Sequence, residues 1–247
     1  LENIVQNQYI AFIEKLLRNY YPDAITCFWA GSYTCNQYTK TSDFDIVVIF
    51  KTLSSAYREA FIYEEKPIDA FIHSPQTLKY FFDEIDAPSY VPALPYMIYS
   101  GIEIPKETSF GKSLKSLAAQ LLQNGPLIPK KQLLYRRFLI TDLLDDLKGA
   151  SNEYEFLTIC ACLHEELCEF FLLANKQWIG KSKNLVRLVN KFDSKIAEQA
   201  FLNYKQAIRD IDYRPMETLT KTIIDPFGGE LWAGFRLDAP QEWKKDC

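Results

Sequence analysis

Three aspartates hold the chemistry that this sequence could perform. Asp43 and Asp45 flank Phe44 at the opening of the apolar run Ile46 to Phe50, and Asp69 lies inside a second apolar run, "KPIDAFIHS". Alternate side chains of an extended strand share a face, so Asp43 and Asp45 point one way and Phe44 the other. Charge at the mouth of a hydrophobic strand is costly. Two like charges ~4 Å apart repel by roughly 4 kcal/mol at an effective dielectric of 20. A divalent cation removes that repulsion. Hard oxygen donors, with neither His nor Cys among them, suit Mg²⁺, which takes one or two carboxylates and completes its shell with water and phosphate oxygens.

Upstream, Gly31 and Ser32 directly follow the apolar stretch "AITCFWA". A glycine there lets the backbone approach a phosphate, and the serine hydroxyl can add a hydrogen bond. Singly these features are ordinary, since acids often open strands and a Gly-Ser pair often makes a turn. Their combination is specific: a strand, Gly31-Ser32, a gap of ten residues, Asp43-Phe44-Asp45 opening a strand, and Asp69 within a later one.

This constellation resembles the nucleotidyltransferase superfamily typified by DNA polymerase β and kanamycin nucleotidyltransferase. The resemblance implies an α+β fold, a small mixed sheet flanked by helices and followed by an all-α bundle. It also implies two Mg²⁺ ions held by Asp43, Asp45 and Asp69. The implied reaction moves a nucleoside monophosphate from a nucleoside triphosphate, ATP being favoured, to a hydroxyl with release of pyrophosphate. In that scheme Asp43 and Asp45 serve both ions and the triphosphate. Asp69 completes the ion nearer the acceptor and takes the hydroxyl proton, and Ser32 holds the β or γ phosphate.

The elements that must position these residues follow from periodicity. Ile4 to Tyr20 has helical spacing of apolar residues and stops at Pro22-Asp23. Four short segments rich in Ile, Val, Phe and Tyr read as strands: "AITCFWA", "DIVVIF", "REAFIY" and "PIDAFIHS", with "EEK" as a hairpin tip. The Asp69 strand is expected beside the Asp45 strand. From Thr77 the period turns helical, and beyond Pro105 the pattern is almost entirely helical: 113–122, 131–148, 153–175, 185–192 and 194–211. The expected domains are therefore 1–107, which carries the aspartates, and a helical bundle 108–247; the resemblance implies that the first is catalytic and that the second lines the acceptor cleft.

Within the helical half, Gly180 interrupts the pattern and Ser182 is expected to cap a helix near Lys183. Lys181 and Lys183 would then crowd a positive helix end, and a bound anion would relieve them. They are accordingly expected to meet the triphosphate, with solvated lysines as the plain alternative. Trp178 could stack on a base or pack between helices. Asp142, Asp145, Asp146, Glu165 and Glu166 are candidates for a general base by the same resemblance, and surface ion pairs are the other reading. Cys160, His164 and Cys168 recur at four-residue spacing, which spans ~12 Å of helix at ~1.5 Å per residue, too far for one ion. They read as a core-facing stripe with His164 at its polar edge. Gly228-Gly229 follows no strand and precedes no Lys-Ser/Thr, so it is not a phosphate loop.

Bulk properties narrow the function. With 247 residues, 48% hydrophobic, the chain can bury a substantial core. A formal net charge of -4 disfavours a nucleic-acid partner. Six cysteines without a C-x-x-C pair, and a start without a signal-type apolar core, suggest a cytoplasmic protein with reduced thiols. No run of ~18 apolar residues points to a membrane span. A small-molecule hydroxyl acceptor, aminoglycoside-like or lincosamide-like, is expected because clustered acids attract cations. Transfer to a protein or an RNA end, and a non-catalytic nucleotide-binding or antitoxin-like partner protein, are the competing readings. A homodimer is left open.

Overall fold

The computed structural model describes residues 2–35 and 37–239, and only the backbone of 2–6. Ile4's side chain and Cys247 therefore lie outside the description. The chain divides into two compact units, Leu1–Gly125 and Pro126–Cys247.

The first unit is α+β. Helix α1 (Glu2–Tyr20) leads into β1 (Thr26–Ala30), β2 (Phe44–Ile49), β3 (Tyr57–Tyr63) and β4 (Lys66–His73). A helical stretch follows: α2 (Pro75–Tyr80), a π-helical segment (Phe81–Asp86), α3 (Ala87–Ser89) and α4 (Ala93–Ser100). Strand β5 (Ile102–Ile104) and α5 (Ser109–Asn124) complete it. The five strands form one mixed sheet in the order β3-β4-β2-β1-β5, in which only β2 and β4 run parallel. Strand alternation gives each face its own core. Trp29, Phe44, Ile46 and Val48 pack with Ile13 and Leu16 of α1 on one side. Phe28, Val47 and Ile49 pack with Leu78, Phe82, Leu94 and Ile98 on the other.

The four predicted strands occur within a residue or two of their expected limits. The hairpin between β3 and β4 turns on Glu64 and Glu65, both at positive φ, with Tyr63 opposite Lys66. Helix α2 starts on a capping box: Ser74 accepts from the Thr77 amide, and Thr77 Oγ1 accepts from the Ser74 amide.

The division falls later than the expected 107/108 limit because α5 belongs to the first core. Leu114 and Ala118 are buried against Phe28, Leu94 and Ile98. Glu103 of β5 fixes the helix start: its carboxylate accepts from Thr26 Oγ1 and from the amide and hydroxyl of Thr108, the α5 N-cap.

The second unit is helical: α6 (Lys130–Gly149), α7 (Glu153–Ala174), α8 (Lys183–Phe192), α9 (Ser194–Asp210) and α10 (Arg214–Ile224). Its long helix α7 is buried along Cys160, Leu163, Leu167 and Phe170. Among the described residues no helix is long and apolar enough to cross a membrane.

Candidate metal centre

Strand register assembles the aspartates. In the parallel β2–β4 pair Asp45 stands directly opposite Asp69. Neighbouring strands lie about 4.8 Å apart, so side chains on one face at the same register must meet. Asp43 lies two residues ahead on the same face, and Phe44 between them turns into the opposite core, fully buried against Trp29 and Tyr33. One carboxylate oxygen from each aspartate lies within 4.8 Å of the others; Asp69 is the most buried and Asp43 the most open.

Gly31 closes one side of this trio. It follows β1, whose last residue, Ala30, pairs with Asp45. Its φ is +78°, and a Cβ there would overlap the Asp45 carboxylate. A tight turn leaves it: Thr34 Oγ1 donates to the Gly31 carbonyl at 2.9 Å, and the Gln37 amide to the Ser32 carbonyl. Tyr33 stacks on Phe44 at 4.3 Å and Tyr38 on Tyr33 at 4.5 Å, tying the loop back to the core. On the other side an open groove of about 600 Å³ extends from Asp43 and Asp69 along β3 and β4, past Arg58, Ala60, Ile62 and Pro67.

Arg58 belongs to this site and was not foreseen from sequence. Its Nε donates to Asp69 Oδ1 at 2.8 Å and its Nη2 to Oδ2 at 2.6 Å. The signal was available: with the hairpin tip placed at 64–66, alternation on β3 puts Arg58 and Ala60 on the Asp69 face. The Asp69 hydrogen bonds hold the Arg58 guanidinium above its ordinary pKa, aided by the charges of Asp69, Asp45 and Asp43.

The donor set fits a hard divalent ion. Three convergent carboxylates with only oxygen ligands match Mg²⁺ or Mn²⁺ rather than a soft metal, and the cradle beside Gly31 has no room for a side chain.

The other predicted residues lie in the second unit. Lys181 does not depend on an external anion to relieve its charge: it donates to Glu169 and lies 3.5 Å from Glu165. Ser182 occupies the N-cap position of α8 as expected, but at φ 51° it makes no side-chain cap bond. Lys183 opens α8 and is exposed. Glu166 accepts from Arg136 at 2.7 Å, and Asp145 pairs with Lys148 at 3.4 Å. Trp178 is buried. Cys160 and Cys168 are buried, while His164 stacks on Tyr204 at 4.4 Å. The carbonyls of Gly228 and Gly229 both accept from Arg137, which gives that turn a structural task.

No protein-family model matches the chain, and no curated protein does. Among solved structures it is similar to a nucleotidyltransferase-like protein from Exiguobacterium sibiricum 255-15. The identity is 12%, covering 89% of this chain and 73% of that one, with a TM-score of 0.42. A likeness this remote assigns neither activity nor residues.

Proposed function

We propose that the chain is a Mg²⁺-dependent nucleotidyltransferase that moves a nucleoside monophosphate from a nucleoside triphosphate to a hydroxyl of a small-molecule acceptor. The observation that supports this is the meeting of Asp43, Asp45 and Asp69 beside the left-handed Gly31 turn. Asp43, Asp45 and Asp69 would hold the ions, which when bound neutralise phosphate charge and activate a hydroxyl. Gly31 lets phosphate oxygens approach the backbone, and Ser32 donates to a β or γ phosphate oxygen. Asp69 faces the groove and orients the acceptor hydroxyl there. The net charge of -4 favours a small acceptor over a nucleic-acid end.

The test is calorimetric titration with ATP, GTP, CTP and UTP in Mg²⁺, ATP first, then an acceptor screen for pyrophosphate release. Asp45→Asn is expected to lower transfer by at least about 100-fold while leaving the melting transition intact. Transfer at the wild-type rate would refute the assignment.

A further inference from the structure

We propose that Arg58 is a built-in cation that competes with divalent ions for Asp69 and thereby sets how tightly the three aspartates bind them. The inference rests on the metal-binding reading above and concerns a residue which that reading does not use.

The geometry is specific. Arg58 grips both oxygens of Asp69 with two different nitrogens, Nε and Nη2, in a bidentate fork. Two features hold the fork in place. Arg58 stands opposite Phe71 in the β3–β4 register, with its guanidinium carbon 4.7 Å from the Phe71 ring centroid. Ala60, directly opposite Asp69, leaves the space through which Arg58 reaches diagonally across the strands.

Consider the charge. Three carboxylates carry a formal -3, and Arg58 reduces this to -2. An ion that engages Asp69 must share its lone pairs with the fork or displace it. Displacement is feasible because the Arg58 side chain is 65% exposed, against 11% for Asp69. The arginine can swing into water; the aspartate stays. Removing any positive charge beside three carboxylates favours a cation through space, so Arg58→Lys, which keeps the charge and loses the fork, is what separates competition from that background effect.

The test is isothermal titration of the full chain with Mn²⁺, alongside thermal melts with and without Mn²⁺. Arg58→Gln is expected to bind Mn²⁺ about tenfold more tightly than wild type, as loss of a charge-assisted fork implies. It should melt lower than wild type without Mn²⁺ and gain more degrees from it. A cooperatively melting Arg58→Gln with equal or weaker Mn²⁺ affinity overturns the proposal. Arg58→Lys is titrated beside it, and serves alone if Arg58→Gln does not fold: the charge stays, the fork is lost, and binding should tighten a few-fold, equal or weaker affinity being the contrary result. Asp45→Asn separates the two readings. If neither wild type nor the Arg58 variants bind Mn²⁺ better than Asp45→Asn does, the metal reading fails and takes this one with it. If wild type does and Arg58→Gln is no tighter, only the competition fails.

Discussion

Gly31 is where backbone conformation and site chemistry depend on one atom's absence. An alanine at φ +78° is strained by roughly 1–2 kcal/mol, and its methyl group would displace the Asp45 carboxylate. Gly31→Ala should therefore lower the melting temperature by a few degrees and weaken Mn²⁺ binding at least about tenfold, both readable on one purified sample. An alanine variant that binds Mn²⁺ like wild type would contradict the cradle. The convergence of the aspartates was legible in the sequence because strand alternation fixes which side chains share a face; Gly31 stood out there as a place for phosphate to approach, and its fit against the Asp45 carboxylate comes from the fold. Arg58 needed one more step, the register across the hairpin. The ion pairs of Lys181 were hidden for a different reason. Its partners Glu165 and Glu169 lie more than ten residues earlier on α7, and local spacing says nothing about a contact between a helix and the loop that follows it.

The α6 and α7 helices share a partly buried charge cluster, and its titration should be measurable. Burial, together with the charge of Glu169, pushes Glu166 up to about 7 from an ordinary 4.5, against the pull of Arg136. Three carboxylates (Glu165, Glu166, Glu169) face two cations (Arg136, Lys181). The folded state thus holds a proton that the unfolded chain has released between pH 4.5 and 7. This contribution is fully present below about pH 4.5, and falls as pH rises through 7 by at most about 1.4 kcal/mol per pH unit. His73 acts oppositely: burial lowers it to about 4, so its contribution is lost as pH falls below about 6.5. Urea unfolding of wild type and Glu166→Gln isolates the first effect. Relative to wild type, the variant should gain stability from pH 5 to pH 8, whereas a difference independent of pH would contradict the account. Element recognition was good where periodicity ran long. It missed the three-residue β5, too short to show alternation, and α10, which begins on an Arg-Pro pair after a left-handed Ile211.

For the whole molecule, the boundary at Gly125 has consequences that one at 107 would not. The sequence pattern separated mixed from all-helical regions, but pattern alone cannot say which core a helix covers. A fragment ending at 125 should melt cooperatively and bind Mn²⁺, because it keeps Leu114 and Ala118 over Phe28, Leu94 and Ile98. A fragment ending at 107 exposes that core and should not fold, as circular dichroism would reveal. The reverse pattern would place the boundary where the sequence first suggested it. Everything proposed for the chain depends on three carboxylates acting on cations as one site. Electron paramagnetic resonance of added Mn²⁺ tests this directly, since bound ion loses the sharp signal of free ion. The account predicts a saturable bound population in wild type that Asp43→Asn, Asp45→Asn and Asp69→Asn each abolish or weaken strongly. Equal binding by all four proteins, or none by wild type, would contradict it.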